Sequence, residues 1–311
     1  MLQLAENSVD QTLIAAINIL QSGDYVITEQ VGEKDGFLPI RQVTTTTAVS
    51  STIIIDSIKA NVKRPLKRFH EHREFKNIKS KHQRIAIVGG GPSLKTTLQE
   101  LRDFETILVA GSPHDYLISH GIIPDFCAIC DPDPISANYL KYPRNSVEYF
   151  IASGCDSKVF DTLKDKQVYM WHCYGDMYVD FFREIEPGCH LIGGGCTIGL
   201  RAINLAIMMG YTNIHLFGMD SCMKEDEYHA YGLEDKEELK GLGGLMEVKI
   251  DPNSNKKYKV AGYQLAQAEH FADFFFEYHN MVSFTFHGDG LLRDLHEKLK
   301  DDIQRQTKEV L

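Results

Sequence analysis

The sequence predicts an α/β protein built on a Rossmann-like, doubly wound, mostly parallel sheet, with an appended N-terminal α+β segment. Three observations carry this expectation. From Arg84 onward, short apolar runs of β character alternate with segments of helical period, the arrangement that crossovers between parallel neighbours require. Nearly every apolar run is followed at once by Gly, Ser, Asp or His, the chemistry of ligand-binding turns at the carboxyl edge of such a sheet. Finally, 311 residues, 43% hydrophobic and 24% charged, with 24 Gly and 10 Pro, suffice for a large core and lie outside disordered or fibrous compositions.

Residues 1–83 read as an accessory segment. Positions 9–20 place apolar residues at helical spacing, and Ser22-Gly23-Asp24 closes the run. Two short β-like runs follow at 25–28 and 38–43, and residues 44–47 lead into a helix that ends in a basic stretch. Residues 84–311 read as the nucleotide-binding catalytic domain. Its β-like runs fall at 85–88, 106–110, 126–130, 149–152, 168–171, 214–217 and 282–286, with amphipathic segments such as 94–101 and 198–209 between them. Residues 225–259 are charged and Gly-rich and break this rhythm, so they read either as an active-site lid or as a surface loop before a helix at 264–279.

The net charge of −10 is uneven. Residues 59–84 hold ten Lys or Arg against two Glu, leaving the remainder strongly acidic. Such a stretch either forms a solvated helix face or attracts phosphates, nucleic acid included. The seven cysteines, Cys127, Cys130, Cys155, Cys173, Cys189, Cys196 and Cys222, are odd in number and irregularly spaced, so reduced thiols are expected. No apolar run approaches the roughly 18 residues that a membrane span needs, and the first residues lack the pattern of a secretory signal. A cytoplasmic protein is the expectation.

The candidate site lies in the turns after the strands. Gly89, Gly90, Gly91, Pro92, Ser93 and Leu94 follow one apolar run and open a helix, so backbone N–H groups there are expected to face a phosphate. The Gly-x-Gly-x-x-Gly fingerprint and the P-loop Lys are both missing, which disfavours NAD and P-loop ATP chemistry. Gly193, Gly194 and Gly195 repeat the pattern before a second helix, with Thr197 and Gly199 at its start and Ser112 after another run. Asp131 and Asp133, interleaved with prolines, are placed either to hold Mg²⁺ or Mn²⁺ beside a diphosphate or, for Asp131, to touch ribose or cap a helix. Asp220 follows a further run and is a candidate catalytic residue, placed to contact the second substrate. His229 and His287 are the candidate general bases, with His114 and His172 also at strand ends.

The runs Gly89-Gly90-Gly91-Pro92-Ser93-Leu94, Gly121-Ile122-Ile123-Pro124-Asp125-Phe126, Gly193-Gly194-Gly195 and Gly210-Tyr211 through Gly218 and Asp220 resemble the 6-hydroxymethylpterin diphosphokinase MptE-like family, which includes glycosyltransferase-like motility accessory factors. A more distant similarity is to bacterial CMP-sialic-acid-dependent sialyltransferases, through Gly91 to Lys95, Thr197-Ile198-Gly199 and Gly210-Tyr211. That resemblance implies that Gly91, Ser93, Asp131, Thr197 and Gly199 line a nucleotide site. Those enzymes carry a catalytic histidine before the helix matching 264–279, where this sequence has Val260-Ala261-Gly262-Tyr263.

Together these readings predict a transferase, first a nucleotide-sugar glycosyltransferase using a CMP- or UDP-linked donor. The alternatives are a Mg²⁺-dependent diphosphokinase acting from ATP on a pterin-like alcohol, and a nucleotide-binding module without chemistry. The acceptor, whether protein, glycan or nucleic acid, and any homo-oligomer stay open at this level.

Overall fold

The computed structural model describes residues 49–76, 81–225, 227–232, 245–251 and 254–310. The elements expected at 9–20, 25–28 and 38–43, and residues 233–244 of the insertion, lie outside the described residues. The described strands are β1 (Lys67–Arg68), β2 (Lys81–Val88), β3 (Ile107–Ala110), β4 (Phe126–Ile129), β5 (Glu148–Ala152), β6 (Gln167–Cys173), β7 (Leu191–Ile192), β8 (Tyr211–Phe217), β9 (Leu245–Val248), β10 (Tyr258–Ala261) and β11 (Ser283–His287). The helices are α1 (Ser51–Asn61), α2 (Arg73–Lys76), α3 (Leu94–Thr97), α4 (His114–Ser119), α5 (Ser157–Thr162), α6 (Asp176–Ile185), α7 (Ile198–Met208), α8 (Gly262–Tyr278) and α9 (Leu291–Val310).

The main sheet runs β1-β6-β5-β4-β3-β2-β8-β11, with β7 beside β6. Each pairing in it is parallel. Strands covered on both faces need continuous apolar runs, and Ile85, Ala86, Ile87 and Val88 of β2 are fully buried, as are Tyr149, Phe150, Ile151 and Ala152 of β5. Helix α7 presents Leu200, Ala202, Ile203, Leu205 and Ala206 to the core and packs on β2, β3, β4 and β8. β9 and β10 form a separate antiparallel pair, whose second strand leads directly into α8.

Most expected strands lie within the observed ones, and the differences have simple causes. β1 has two residues, too few to display a period, yet it pairs with Tyr169 and Met170 of β6. α1 is anchored to the sheet by Asn61, which donates Nδ2 to the Ser153 and Cys155 carbonyls at 2.9 and 2.8 Å. The helix expected at 94–101 is one α-turn followed by a 3₁₀ stretch, Leu98–Asp103. All seven cysteines are free. Among the described residues no helix is long and apolar enough to cross a membrane.

One core group opposes folding at neutral pH. Glu269 on α8 is 2% exposed, its Oε1 has no hydrogen-bond partner among the described residues, and burial, aided by Asp273, pushes its carboxyl up to about 9 from 4.5. A carboxyl raised by folding contributes its full stability below the unfolded value and loses it as pH rises toward the folded one. Glu269→Gln keeps the shape and removes the titration. In thermal melts the variant should exceed the parent at pH 8, with the gap narrowing steadily toward pH 4.5; a pH-independent gap would sink this account.

Candidate functional site

From β2 the chain steps outward through β3, β4 and β5 to β6, then returns to β8 on the other side of β2. The switch point is therefore between β2 and β8, where the loops diverge at the carboxyl edge and a ligand crevice forms in this class of sheet. Both loops here are small-residue turns, and they are locked to each other. Gly89 N–H donates to the Phe217 carbonyl and Gly91 N–H to the Gly218 carbonyl, both at 2.8 Å. Ser93 donates its backbone N–H to Asp220 Oδ2 at 2.7 Å and its hydroxyl to Asp220 Oδ1. The donors expected to face a phosphate thus include several that bind the neighbouring loop. A Cβ at Gly91 would lie 2.7 Å from the Asp220 carboxyl carbon, so only glycine permits this approach. Pro92 and Leu94 point into the protein and are buried. Burial pushes Asp220, 6% exposed, up to about 6, while the two bonds from Ser93 pull it down.

Residues 227–232, a described part of the insertion after the switch-point strand, cover this junction. Ala230 N–H donates to the Gly90 carbonyl at 2.9 Å, Lys95 Nζ pairs with Glu227 at 2.6 Å, and the Tyr231 and Ser112 hydroxyls are hydrogen-bonded. His229 and Tyr231 lie directly on Gly90, where an added Cβ would strike both. The His229 ring sits between those of Tyr228 and Tyr231, at 4.6 and 5.4 Å. Its Nδ1 is buried without a hydrogen-bond partner among the described residues, and burial lowers the ring to about 4, so it is neutral at pH 7.

The second glycine loop is seated on helices. Gly194 has φ +118°, and a Cβ there would fall 2.9 Å from the Leu200 carbonyl; beside it Gly195 is followed by Cys196, whose N–H donates to His270 Nδ1 at 3.2 Å. Thr197 caps α7, accepting from Leu200 N–H at 3.5 Å and from Gln267 Nε2 at 3.0 Å. Gly199 packs under Met219, which connects this loop to the one after β8.

The remaining candidates are spread along the same edge. Asp131 accepts from Asp133 N–H at 2.9 Å and Asp133 from Ile135 N–H at 2.8 Å, so each commits one carboxylate oxygen to a turn. Among the described residues no group of three or more His, Cys, Asp or Glu is placed to hold a metal ion. His287 is bound on both sides, Nδ1 to Glu100 at 2.6 Å and Nε2 to His215 at 2.9 Å, and it stacks on Phe217 at 3.9 Å. His114 lies between Asp115 and Tyr149, at 2.8 and 3.3 Å, and His172 between Ser153 and Glu186, at 2.8 and 3.4 Å. The basic stretch lines a separate cavity of about 900 Å³ with Lys59, Lys63, Arg64, Arg68, His70 and Glu186, in which Arg68 pairs with Glu186 at 2.6 Å. Tyr231, Lys95 and Gln267 were not singled out from the sequence. Lys95 had a signal, as the cation ending the Gly-Pro-Ser-Leu-Lys run, whereas Tyr231 and Gln267 are placed by tertiary contacts alone.

The family profile described as 6-hydroxymethylpterin diphosphokinase MptE-like matches residues 54–226, more than half of the chain and including both switch-point loops. The chain belongs to the MptE-like family. Among solved structures this MptE-like chain is similar to the MAf glycosyltransferase from Magnetospirillum magneticum AMB-1, with 15% identity and a TM-score of 0.53 over 83% of this chain. That likeness is one of fold, and the chain spans only 43% of that protein's length. A weaker likeness, with a TM-score of 0.40 and 16% identity over 70% of this chain and 85% of the other, is to the sialyltransferase CstII from Campylobacter jejuni, solved with a substrate analogue, cytidine-5'-monophosphate. No curated protein matches the sequence.

The Ser93 and Asp220 pair makes a direct prediction. Ser93→Ala strands Asp220 Oδ1, a buried acceptor, and should lower stability by about 1–3 kcal/mol in urea unfolding. An unchanged midpoint would mean that this bond does not hold the two loops together.

Proposed function

We propose that the chain is a nucleotide-dependent transferase, a glycosyltransferase that moves a sugar from a CMP- or UDP-linked donor to an acceptor hydroxyl. The observation that carries this reading is His229. It is a neutral histidine whose Nδ1 has no partner among the described residues, held against Gly90 at the switch point of the sheet. The family match and the glycosyltransferase-like fold agree with it.

In this reading the donor nucleotide lies along the Gly89 to Gly91 turn and the Gly194 to Gly199 turn, with Asp131 directed to its ribose. The acceptor O–H gives its proton to His229 Nδ1 as the acceptor oxygen bonds to the anomeric carbon. The bond from that carbon to the nucleotide phosphate breaks, and the phosphate leaves with the electron pair. Asp220 holds the Ser93 turn in place. Residues 227–232 cover the reacting groups and keep water from competing as acceptor. Asp131 and Asp133 each retain one oxygen for Mg²⁺ or Mn²⁺; two such oxygens are too few alone, so phosphate oxygens of the donor would complete the shell. Such an ion would neutralise charge on the leaving group. Glutamate and lysine side chains around the cover, and the basic cavity, leave protein, glycan and nucleic-acid acceptors all chemically admissible.

The family's own description favours a second reading, transfer of diphosphate from ATP to a pterin-like alcohol by the same loops. A thermal-shift series with CMP, CDP, UDP, GDP, ADP and ATP, with and without Mg²⁺ or Mn²⁺, separates the two, because a ligand of the folded state raises the melting temperature. Stabilisation by cytidine or uridine nucleotides is expected; a response confined to ATP or AMP with metal would replace the first reading by the second. Once a donor is identified, His229→Gln should slow turnover by about 10²–10⁴ with nucleotide affinity retained. An equal loss of binding would make His229 a ligand contact rather than the base.

A further inference from the structure

The basic stretch of the sequence, to which the transferase chemistry gives no task, is built into a cavity of its own. At about 900 Å³ the cavity has the size of a small-ligand site. Its lining carries four full cations, Lys59, Lys63, Arg64 and Arg68, against two carboxylates, Glu71 and Glu186, in a chain whose net charge is −10. Arg68 engages both carboxylates. Glu186 accepts from Nε and Nη2 of its guanidinium at 2.6 and 3.0 Å, and Glu71 accepts its backbone N–H at 2.6 Å. The same guanidinium donates to the Leu66 and Val62 carbonyls at 2.8 and 3.0 Å, so Arg68 braces the turn between α1 and β1 and leaves little of itself for a ligand.

The other three cations are not used up in this way. Arg64 Nη1 pairs with the exposed Asp161 at 3.0 Å, a weak attachment in contact with water, and its Nη2 has no partner among the described residues. Lys59 and Lys63 are exposed, and among the described residues no carboxylate pairs with either. Lys59 Nζ lies 5.9 Å from the centre of the Phe181 ring. The end of α1 does not need these ammonium groups, because the N–H groups of Val62, Lys63 and Arg64 already bind the carbonyls of Ile58, Ala60 and Asn61. Cations gathered on one wall repel each other and attract a shared anion. Val62, Leu66 and Ile185 add an apolar strip, and no Phe, Tyr or Trp lines the cavity, so the stacking platforms that hold single-stranded nucleic acid are missing from it.

The cavity opens on the ligand edge. Asn61 is bonded to the Ser153 and Cys155 carbonyls just after β5, and Nε2 of His172, near the end of β6, lies 3.4 Å from Glu186. The cavity therefore sits at the carboxyl ends of β5 and β6. Four strand steps separate β6 from β2, about 19 Å at about 4.8 Å per step. A single nucleotide-sized group cannot fill both this cavity and the β2–β8 junction, which assigns the two places to different parts of the substrates.

We propose that this cavity is an acceptor-docking site, in which Lys59, Lys63 and Arg64 hold a phosphate or carboxylate group of an extended acceptor whose reacting hydroxyl lies at the β2–β8 junction. The acceptor role rests on the transferase reading; the anion site itself follows from the cavity and its unpaired cations.

The test is isothermal titration calorimetry of the full chain with inorganic tripolyphosphate and with citrate, in about 0.1 M chloride, where distant charges are screened. Binding of at least one probe is expected. Citrate binding as tightly as tripolyphosphate assigns charge alone as the recognised feature, and tripolyphosphate binding alone assigns a phosphoryl group. Lys59→Gln combined with Lys63→Gln should weaken binding at least about tenfold. Lys141→Gln combined with Arg305→Gln removes the same charge from exposed positions elsewhere and should change it less than about twofold. Failure of both probes to bind the parent chain overturns the proposal, and this result needs no variant to fold. Equal losses in the two double variants overturn it too, since the whole-molecule field would then be the cause. Single-stranded RNA binding more tightly than either probe, through Lys59 and Lys63, would replace the small anion by nucleic acid. Lysine-dependent probe binding beside a null nucleotide series would remove the transferase reading and leave the anion site, and the reverse pattern would remove the anion site alone.

Discussion

The close approach of two backbone turns, those after β2 and β8, is the constraint on which the rest of the carboxyl edge depends. Two main-chain hydrogen bonds join Gly89 and Gly91 to Phe217 and Gly218, and the Ser93 and Asp220 pair finishes the junction. Backbones can come this near only where side chains are missing, which accounts for Gly89 and Gly91, while Gly90 leaves room for His229 and Tyr231 of the cover. Because the junction is made of small residues, the cover formed by Ala230 and Tyr231 can rest on it, and Leu292 at the start of α9 donates its N–H to the Asp220 carbonyl.

Desolvation sets the electrical character of that edge. Asp220 is shifted upward and His229 downward, and both changes favour the uncharged form, as burial without full compensation demands. Glu269, behind the second glycine turn, follows the same rule.

Much of this was legible in the sequence, and the limits of legibility are physical. The strands that build the sheet are buried on both faces, so 85–88 and 149–152 announce themselves as apolar runs, and the Gly, Ser and Asp turns after them mark the ligand edge. What period and composition do not reveal is how those turns spend their donors. Ser93 and Asp220 read separately as ligand contacts, and their mutual bond joins positions 127 residues apart in the chain. His287 looks like a free strand-end histidine until Glu100 and His215 are brought to it by the fold. β1 leaves no trace because two residues cannot show alternation.

The long sequence separation across the central strand pair also bears on how the molecule comes into being. β2 and β8 lie side by side in the sheet, yet β3 to β7 are all made between them, so the pair closes a very long loop. Contacts of this kind form late, after the entropy of loop closure has been offset by nearer pairings. During synthesis the half of the crevice contributed by β2 waits, unpaired on one side, until β8 has left the ribosome. A nascent chain that ends before Asp220 lacks the β2–β8 junction, so a ligand seated on that junction can act as a stabiliser only of the finished sheet.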